Sequence, residues 1–164
     1  TAPSLEAHGV RLVTDLMPAL PPLSGDADRL QQVFINLINN ALDAMPDGGE
    51  LRVRTGLMEV GAGTGQQAAS ASGDHAGARI YVELADSGCG MNEETRSRIF
   101  DPFYTTKAAG HGGLGLVVVR QVVREHGGQI QVESAEGRGA RFLIELPAVA
   151  RPASDTRGEV LVEA

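Results

Sequence analysis

One cysteine, one lysine and no tryptophan occur among the 164 residues of this chain. The single thiol, Cys89, excludes an internal disulfide and any cysteine-cluster metal site, so a soluble domain of a reducing compartment, cytoplasmic by default, is expected. No apolar run approaches the roughly 20 residues that cross a bilayer, and no basic-plus-apolar leader opens the sequence. Acidic residues outnumber basic ones by 21 to 14, for a formal charge of −7. That balance argues against a phosphate-backbone binder, and neither nucleic acid nor direct membrane contact is expected. Disorder is excluded as well: 42% of the chain is apolar, in spite of 21 glycines and eight prolines. The length suits one domain with a proper core.

The chain then divides by periodicity. Residues 1–9 show no sustained period and read as a linker. Val10, Leu12 and Leu16 alternate with polar residues, which predicts a strand over 10–15. Across 26–45, Leu30, Val33, Phe34, Leu37, Ile38, Ala41, Leu42 and Met45 follow the 3.6-residue period without a gap. This is a long helix, opened by Asp26 and Asp28 and ended by Pro46-Asp47-Gly48-Gly49. Alternation predicts further strands at 50–55 and 79–85, separated by a Gly/Ala/Ser/Gln-rich stretch, 61–77, that reads as a flexible loop. A short helix is expected at 93–100 and a second long one at 114–126. A hairpin closes on Glu136-Gly137-Arg138-Gly139, and an Ala/Pro/Ser-rich tail occupies 148–164. The hairpins exclude a purely parallel sheet, so the fold class is an α/β (α+β) layered domain.

Three constellations carry chemistry. Gln32, Asn36, Asn40 and Asp43 fall within one stripe of the long helix, with Asn39 at its edge. Asparagine is a poor mid-helix residue, and three of them within five positions cost roughly 1–2 kcal/mol relative to Ala. A merely solvated face would use Glu, Lys or Arg instead; neutral oxygens one turn apart suit a hard cation such as Mg²⁺ shared with phosphates. Asp86 ends a predicted strand just before Gly88-Cys89-Gly90. Its carboxylate either caps the turn or accepts from an amine on a bound base. Gly110-His111-Gly112-Gly113-Leu114-Gly115 opens the second long helix, where glycines and exposed N–H groups suit an anion. The only lysine, Lys107, lies three residues before it. No buried strand precedes these glycines, so the dinucleotide fingerprint is not met.

With these residues in view the chain resembles the GHKL (Bergerat-fold) ATPases. Asn36-Leu37-Ile38-Asn39-Asn40-Ala41-Leu42-Asp43-Ala44-Met45 is similar to their N box and Asp86-Ser87-Gly88-Cys89-Gly90-Met91 to their G1 box. The run from Ile99 through Phe100, Asp101, Pro102, Phe103, Tyr104, Thr105 and Thr106 to Lys107 resembles the F box of sensor histidine kinases. Gly112-Gly113-Leu114-Gly115-Leu116 resembles the G2 box. The resemblance covers about residues 10–147 and is closest to nitrogen-regulator-like kinases. It implies a two-layer sandwich, with a mixed, largely antiparallel sheet packed on helices, and an ATP lid at 107–113. It further implies that Asn40, assisted by Asn36, ligates Mg²⁺, and that Asp43 borders the nucleotide. Asp86 would take the adenine amine, Gly88 and Gly90 would admit the base beside Met91, and Gly112, Gly113, Leu114, Gly115 and Leu116 would line the phosphates. Tyr104 and Thr106 would border the nucleotide, Lys107 would reach its phosphates, and Phe100 and Phe103 would anchor the lid.

The implied activity is transfer of the ATP γ-phosphate to a histidine on a separate dimerisation domain of the same protein, for relay to a response regulator. This domain alone would be a monomer and the full-length kinase a homodimer. The chain departs from the pattern in lacking the G2 threonine and in carrying Asp43 where many relatives have Lys. It also offers no histidine in a His-Glu or His-Asp context, since His8, His111 and His126 precede Gly and His75 precedes Ala. Two other readings stay open: a nucleotide-sensing module without turnover, and an anti-sigma-type serine/threonine kinase, against which the F box argues.

Overall fold

The computed structural model describes residue 5 and residues 8–59, 78–105 and 113–149. The loop at 61–77, Thr106, Lys107, Gly112 and nearly all of the 148–164 tail lie outside the described residues, as does the expected lid apart from Gly113. In chain order the elements are β1 (Val10–Asp15), α1 (Ala27–Ala44), β2 (Gly49–Glu59), β3 (Ala78–Asp86), α2 (Glu93–Arg98), α3 (Gly115–Glu125), β4 (Gln129–Ser134) and β5 (Ala140–Pro147). The five strands form one sheet in the order β1-β2-β3-β5-β4. Only β1 and β2 run parallel, joined through α1; β2–β3, β3–β5 and β4–β5 are antiparallel. This is the mixed, largely antiparallel sheet that the family resemblance implied, and it is not purely parallel, as the hairpins required. No helix among the described residues is long and apolar enough to cross a membrane.

Side-chain alternation makes the sheet one-sided. Register pairs Ile80 with Leu146, Val82 with Ile144 and Leu84 with Phe142, while Ile130 and Val132 face Ile144 and Phe142 from β4. These side chains meet Leu30, Val33 and Leu37 of α1 and Val119, Val122 and Val123 of α3 in one core. A second cluster joins Val10 and Leu51 to Ala41, Leu42 and Met45 at the end of α1, and Leu5, from the stretch read as linker, is buried in it. On the opposite face Arg141 bridges Glu83 (2.6 Å) and Glu133 (2.8 Å), and Arg54 pairs with Asp15 (3.2 Å). Tyr81 lies over Gly56, its partner in register; a Cβ on Gly56 would stand 2.6 Å from the ring. The β1 expectation held in extent but not in facing: Val10 is buried, whereas Leu12 and Leu16 are largely exposed. As an edge strand, β1 reaches past the cover that α1 provides.

The two long helices are tied at one end by side chains. Asp26 caps α1, its Oδ1 accepting from the N–H groups of Asp28 and Arg29. His126 stands at the C-terminus of α3, and its contacts reach beyond that helix. Its Nδ1 lies 2.7 Å from the Val122 carbonyl, which only accepts, so Nδ1 carries the proton. Its Nε2 then accepts from the Asp26 N–H at 2.9 Å. Bonded both ways, the ring joins the end of α3 to the start of α1. An ion pair from Arg29 to Glu125 reinforces the junction. Gly25 leaves room for the ring, since a Cβ there would fall 2.2 Å from its Cδ2.

Removing this junction is expected to loosen the domain measurably. His126→Ala deletes two hydrogen bonds and should lower stability by about 1–2 kcal/mol, read as a reduced urea midpoint. An unchanged midpoint would show that the junction contributes nothing to folding.

Candidate functional site

A cleft of about 730 Å³ opens above the β3–β5 region of the sheet, among α1, α2 and the start of α3. Each wall follows from local sequence. The polar stripe of α1 supplies Asn36, Asn39, Asn40 and Asp43, because the helix's other face is spent on the core. The strand β3 delivers Asp86 at its last residue, and the turn that follows brings Cys89, Gly90 and Met91. From β5, Ala140 and Phe142 line the floor; Thr95 and Ile99 come from α2, whose N-cap is Asn92. Tyr104, Thr105 and the run Gly113-Leu114-Gly115-Leu116 complete the boundary. One end is therefore apolar around Asp86 and the other is lined by amides.

Asp86 is partly buried and doubly bonded. Its Oδ1 accepts from the Gly88 N–H (2.9 Å) and the Ala140 N–H (3.2 Å), while Oδ2 takes no bond from another residue among those described. Burial raises the carboxyl above its ordinary value, opposed by those backbone amides. The carboxylate thus caps its own turn and leaves one oxygen for the cleft, so the two roles open to it in the sequence are compatible.

The glycines divide by what their missing side chains serve. Gly88 does not line the cleft; a Cβ there would lie 2.5 Å from the Ala44 carbonyl, where the turn packs on the end of α1 and Cys89 N–H bonds to that same oxygen. Gly90 lines the cleft, yet its φ of +65° and the Ala135 carbonyl, 2.0 Å from an added Cβ, make it a requirement of the fold. Gly113, with φ +60°, is pressed against Phe103 and Tyr104. Gly115 differs: the nearest atom to an added Cβ is Asn36 Cγ at 3.9 Å. Among the described residues, no packing contact demands glycine there.

The 100–105 segment is held from two sides. Arg120 of α3 donates to the Phe100 carbonyl (3.0 Å) and lies over the Phe100 ring (5.3 Å). Arg98 covers the Tyr104 ring (4.4 Å), and the Tyr104 hydroxyl meets Thr95 Oγ1 at 3.2 Å. Phe100 packs against the core as an anchor would, but Phe103 does not: it is 76% exposed, with φ +65°. The turn points its ring outward, away from the apolar pocket that an anchor needs.

Of the residues singled out in the sequence, Asn36, Asn40, Asp43, Asp86, Gly90, Met91, Tyr104, Gly113, Leu114, Gly115 and Leu116 converge on the cleft. Thr106, Lys107 and Gly112 lie outside the described residues. Sequence reasoning left out Asn39, Thr95, Ile99, Ala140 and Phe142 as site residues. Asn39 stood at the edge of the stripe, and Thr95 and Ile99 are one helical turn apart on α2. Ala140 and Phe142 carried no signal, since only the β3–β5 register sets them beside Asp86.

Comparison with known proteins agrees with this geometry. Residues 25–150 match the family model described as histidine kinase-, DNA gyrase B- and HSP90-like ATPase. Sporulation kinase E of Bacillus subtilis is 39% identical over 138 residues, 84% of this chain and 16% of its own length. The sensory histidine kinase/phosphatase NtrB of Azospirillum brasilense is 38% identical over 143 residues, 86% of this chain and 34% of its own. The chain therefore spans well under half the length of these relatives. Full-length ShkA, crystallised in complex with AMPPNP, superposes with a TM-score of 0.67 at 27% identity, covering 92% of this chain and 28% of that one. Fold, cleft and family match agree: this chain belongs to the histidine kinase-, DNA gyrase B- and HSP90-like ATPase family.

Proposed function

We propose that this chain is the ATP-binding catalytic domain of a two-component sensor histidine kinase, acting on a histidine of a separate dimerisation domain for relay to a response regulator. The observation that carries the reading is one cleft with a half-satisfied carboxylate, Asp86, at its apolar end and an amide-lined wall at the other. Its volume, about 730 Å³, lies within the ordinary range for ligand pockets. An adenine amine donating to Asp86 Oδ2 would sit between Met91, Ile99 and Phe142, and the phosphates would run toward Asn40 and Gly115. The kinase branch of the family is favoured by its relatives' names and by the F-box residues, of which Ile99 and Tyr104 line the cleft.

The donor set also suits Mg²⁺. Among the described residues no three His, Cys, Asp or Glu side chains cluster as a metal site. A cation here would rest on few protein oxygens, as Mg²⁺ does when triphosphate oxygens and waters complete its shell. Asn40 is the proposed ligand, with Asp43 one turn away. Bound Mg²⁺ would neutralise charge on the transferring phosphoryl group. The protein's own part is to hold the base at Asp86, present backbone N–H groups at the start of α3, and keep the γ-phosphate at the mouth of the cleft. An external imidazole attacks phosphorus there, the bond to the ADP oxygen breaks, and ADP leaves.

Asp86→Asn tests the base end cleanly, because the amide's Oδ1 retains the bonds from Gly88 and Ala140 while its Nδ2 replaces the acceptor Oδ2. Loss of a charge-assisted bond of roughly 1.5–3 kcal/mol should weaken ATP binding about 10- to 150-fold in calorimetric titration. A carboxyl raised by burial destabilises the free domain as pH rises from its ordinary value through its raised one, and the full cost is present above that, so at neutral pH the variant should melt no lower than wild type. In wild type, ATP affinity should fall as pH drops through that raised value and protonates the acceptor. Equal ATP affinity in the two proteins would remove Asp86 from the base site.

Cys89 gives an independent check, being exposed and part of the cleft wall. Mg·ATP should slow its alkylation, followed by mass spectrometry; identical rates with and without nucleotide would argue against this placement of the base.

The chain should bind Mg·ATP without labelling itself. None of its four histidines is followed by an acid, and in-line transfer needs a nucleophile about 3–3.5 Å from phosphorus. Supplying a cognate dimerisation domain should give acid-labile, base-stable label from γ-labelled ATP, and Asn40→Ala should abolish it. Stoichiometric label on His8, His75, His111 or His126 would overturn the acceptor assignment. Binding without transfer, even with the dimerisation domain present, would favour a nucleotide-sensing module.

A further inference from the structure

Asn36 and Asn40 stand one turn apart on α1, and both line the cleft. The contacts of Asn36 fix the orientation of its side chain. The Asn36 Nδ2 donates to the Gly115 carbonyl at 3.2 Å, and its Oδ1 accepts from Gln32 Nε2 at 3.0 Å. The orientation is dictated by chemistry: a carbonyl cannot donate, so the amide nitrogen must face Gly115 and the oxygen must face the other way. That oxygen is turned toward Gln32, one turn nearer the start of α1, whereas Asn40 lies one turn nearer its end.

We propose that Asn36 is a positioning residue and not a metal ligand: oriented by Gln32, its amide clasps the first residue of α3 and sets the spacing between the glycine segment and the amide wall. The proposal rests on the nucleotide reading given above. Three features of the structure bear on it. The N-cap of α3 is Leu114, which makes no side-chain capping bond, so that helix start is not held by a cap of its own. The far ends of α1 and α3 are joined through His126 to Asp26 and Arg29 to Glu125. The Asn36–Gly115 bond is the matching tie at the cleft end, about ten residues or ~15 Å along α1 from the first. Finally, the atom nearest to a Cβ placed on Gly115 is Asn36 Cγ. The bare backbone at 115 thus faces the amide that holds it, and apart from its own helix and chain neighbours no other described residue comes within 4 Å of that added Cβ. Gln32, exposed and outside the cleft wall, acquires a role through Asn36: it keeps the donor end of that amide aimed at α3.

The two roles differ in how binding depends on the metal. Calorimetric titration with ATP in EDTA and in excess Mg²⁺ gives two dissociation constants, and their ratio is the metal's contribution. For a positioning residue, Asn36→Ala should weaken ATP about tenfold in both media and leave the ratio unchanged. Asn40→Ala, the proposed ligand, should collapse the ratio toward one. Asn36→Asp should weaken binding as far as Asn36→Ala, since a carboxylate cannot donate to Gly115; a metal ligand would keep or tighten Mg²⁺ dependence on that change. Gln32→Ala should weaken ATP about threefold in both media, and adding it to Asn36→Ala should cost nothing more. Hydrogen exchange at the first-turn amides of α3 should speed up in Asn36→Ala without any nucleotide, while the melting temperature stays within a few degrees of wild type. A collapsed ratio in Asn36→Ala, or additive effects of the Gln32 and Asn36 substitutions, would overturn the proposal. Wild type that binds no ATP would instead overturn the nucleotide reading, and unchanged α3 exchange in the free variant would by itself reject the clasp.

Discussion

A sheet that is apolar on one face admits one layer of helices, and the rest of this molecule follows from that restriction. The outer face carries Arg54, Glu83, Arg141 and Glu145, several of them paired, and leaves the inner face to α1 and α3 side by side. Two helices sharing one layer must be held at a fixed separation, because their mutual spacing determines whether the cleft beside them is open. The ends provide this. His126 and Glu125 join Asp26 and Arg29 at one end, and Asn36 reaches Gly115 at the other. Hydrogen bonds suit such a task better than buried charge, since they carry a small desolvation cost and a strict direction, and the one ion pair among these ties, Arg29–Glu125, stays at the surface.

On the proposed reading, the Asp86 turn is a binding group prepared by the fold. The β4–β5 hairpin docks against it through Met91 N–H on Ser134 Oγ, Ser134 Oγ–H on the Gly139 carbonyl, and Gly137 N–H on the Cys89 carbonyl. A Cβ on Gly139 would fall 1.9 Å from the Asp86 carbonyl. Strand end, turn and hairpin therefore form one rigid unit, with the carboxylate held through one oxygen. Burial leaves that group costly to ionise, and a donor from a ligand would offset the cost. The site is preorganised on secondary structure, which favours precise recognition of a small planar donor edge.

Glycine-rich motifs invite the assumption that each glycine faces the ligand, and here that assumption separates into cases. Gly88, Gly90 and Gly113 are required by the protein's own backbone at Ala44, Ala135 and Phe103, while Gly115 alone among these meets no such contact from the described residues. Phe103 makes the same point in reverse: an aromatic residue expected to pack is displayed on the surface. Local sequence announces that backbone will pass closely at such places. It does not say what passes.

Element identity and order were legible in the sequence for a physical reason: one-sided burial imposes a period of 3.6 on helices and 2 on strands, and both periods are visible without coordinates. Hence 26–45 marked α1 together with its caps Asp26 and Met45, and 10–15 matched β1. The polar stripe on α1 and the acid at the end of β3 were legible too, as residues that local propensity disfavours or that interrupt an apolar pattern. Long-range pairing was not. Nothing in the order of residues says that β5 lies between β3 and β4, and that placement brings Ala140 and Phe142 to Asp86. Nor does a helical wheel reveal that Asn36 faces a carbonyl or that His126 grips another helix's cap. These are contacts across 79 and 100 residues, and the direction of a hydrogen bond is decided only when both partners are in place.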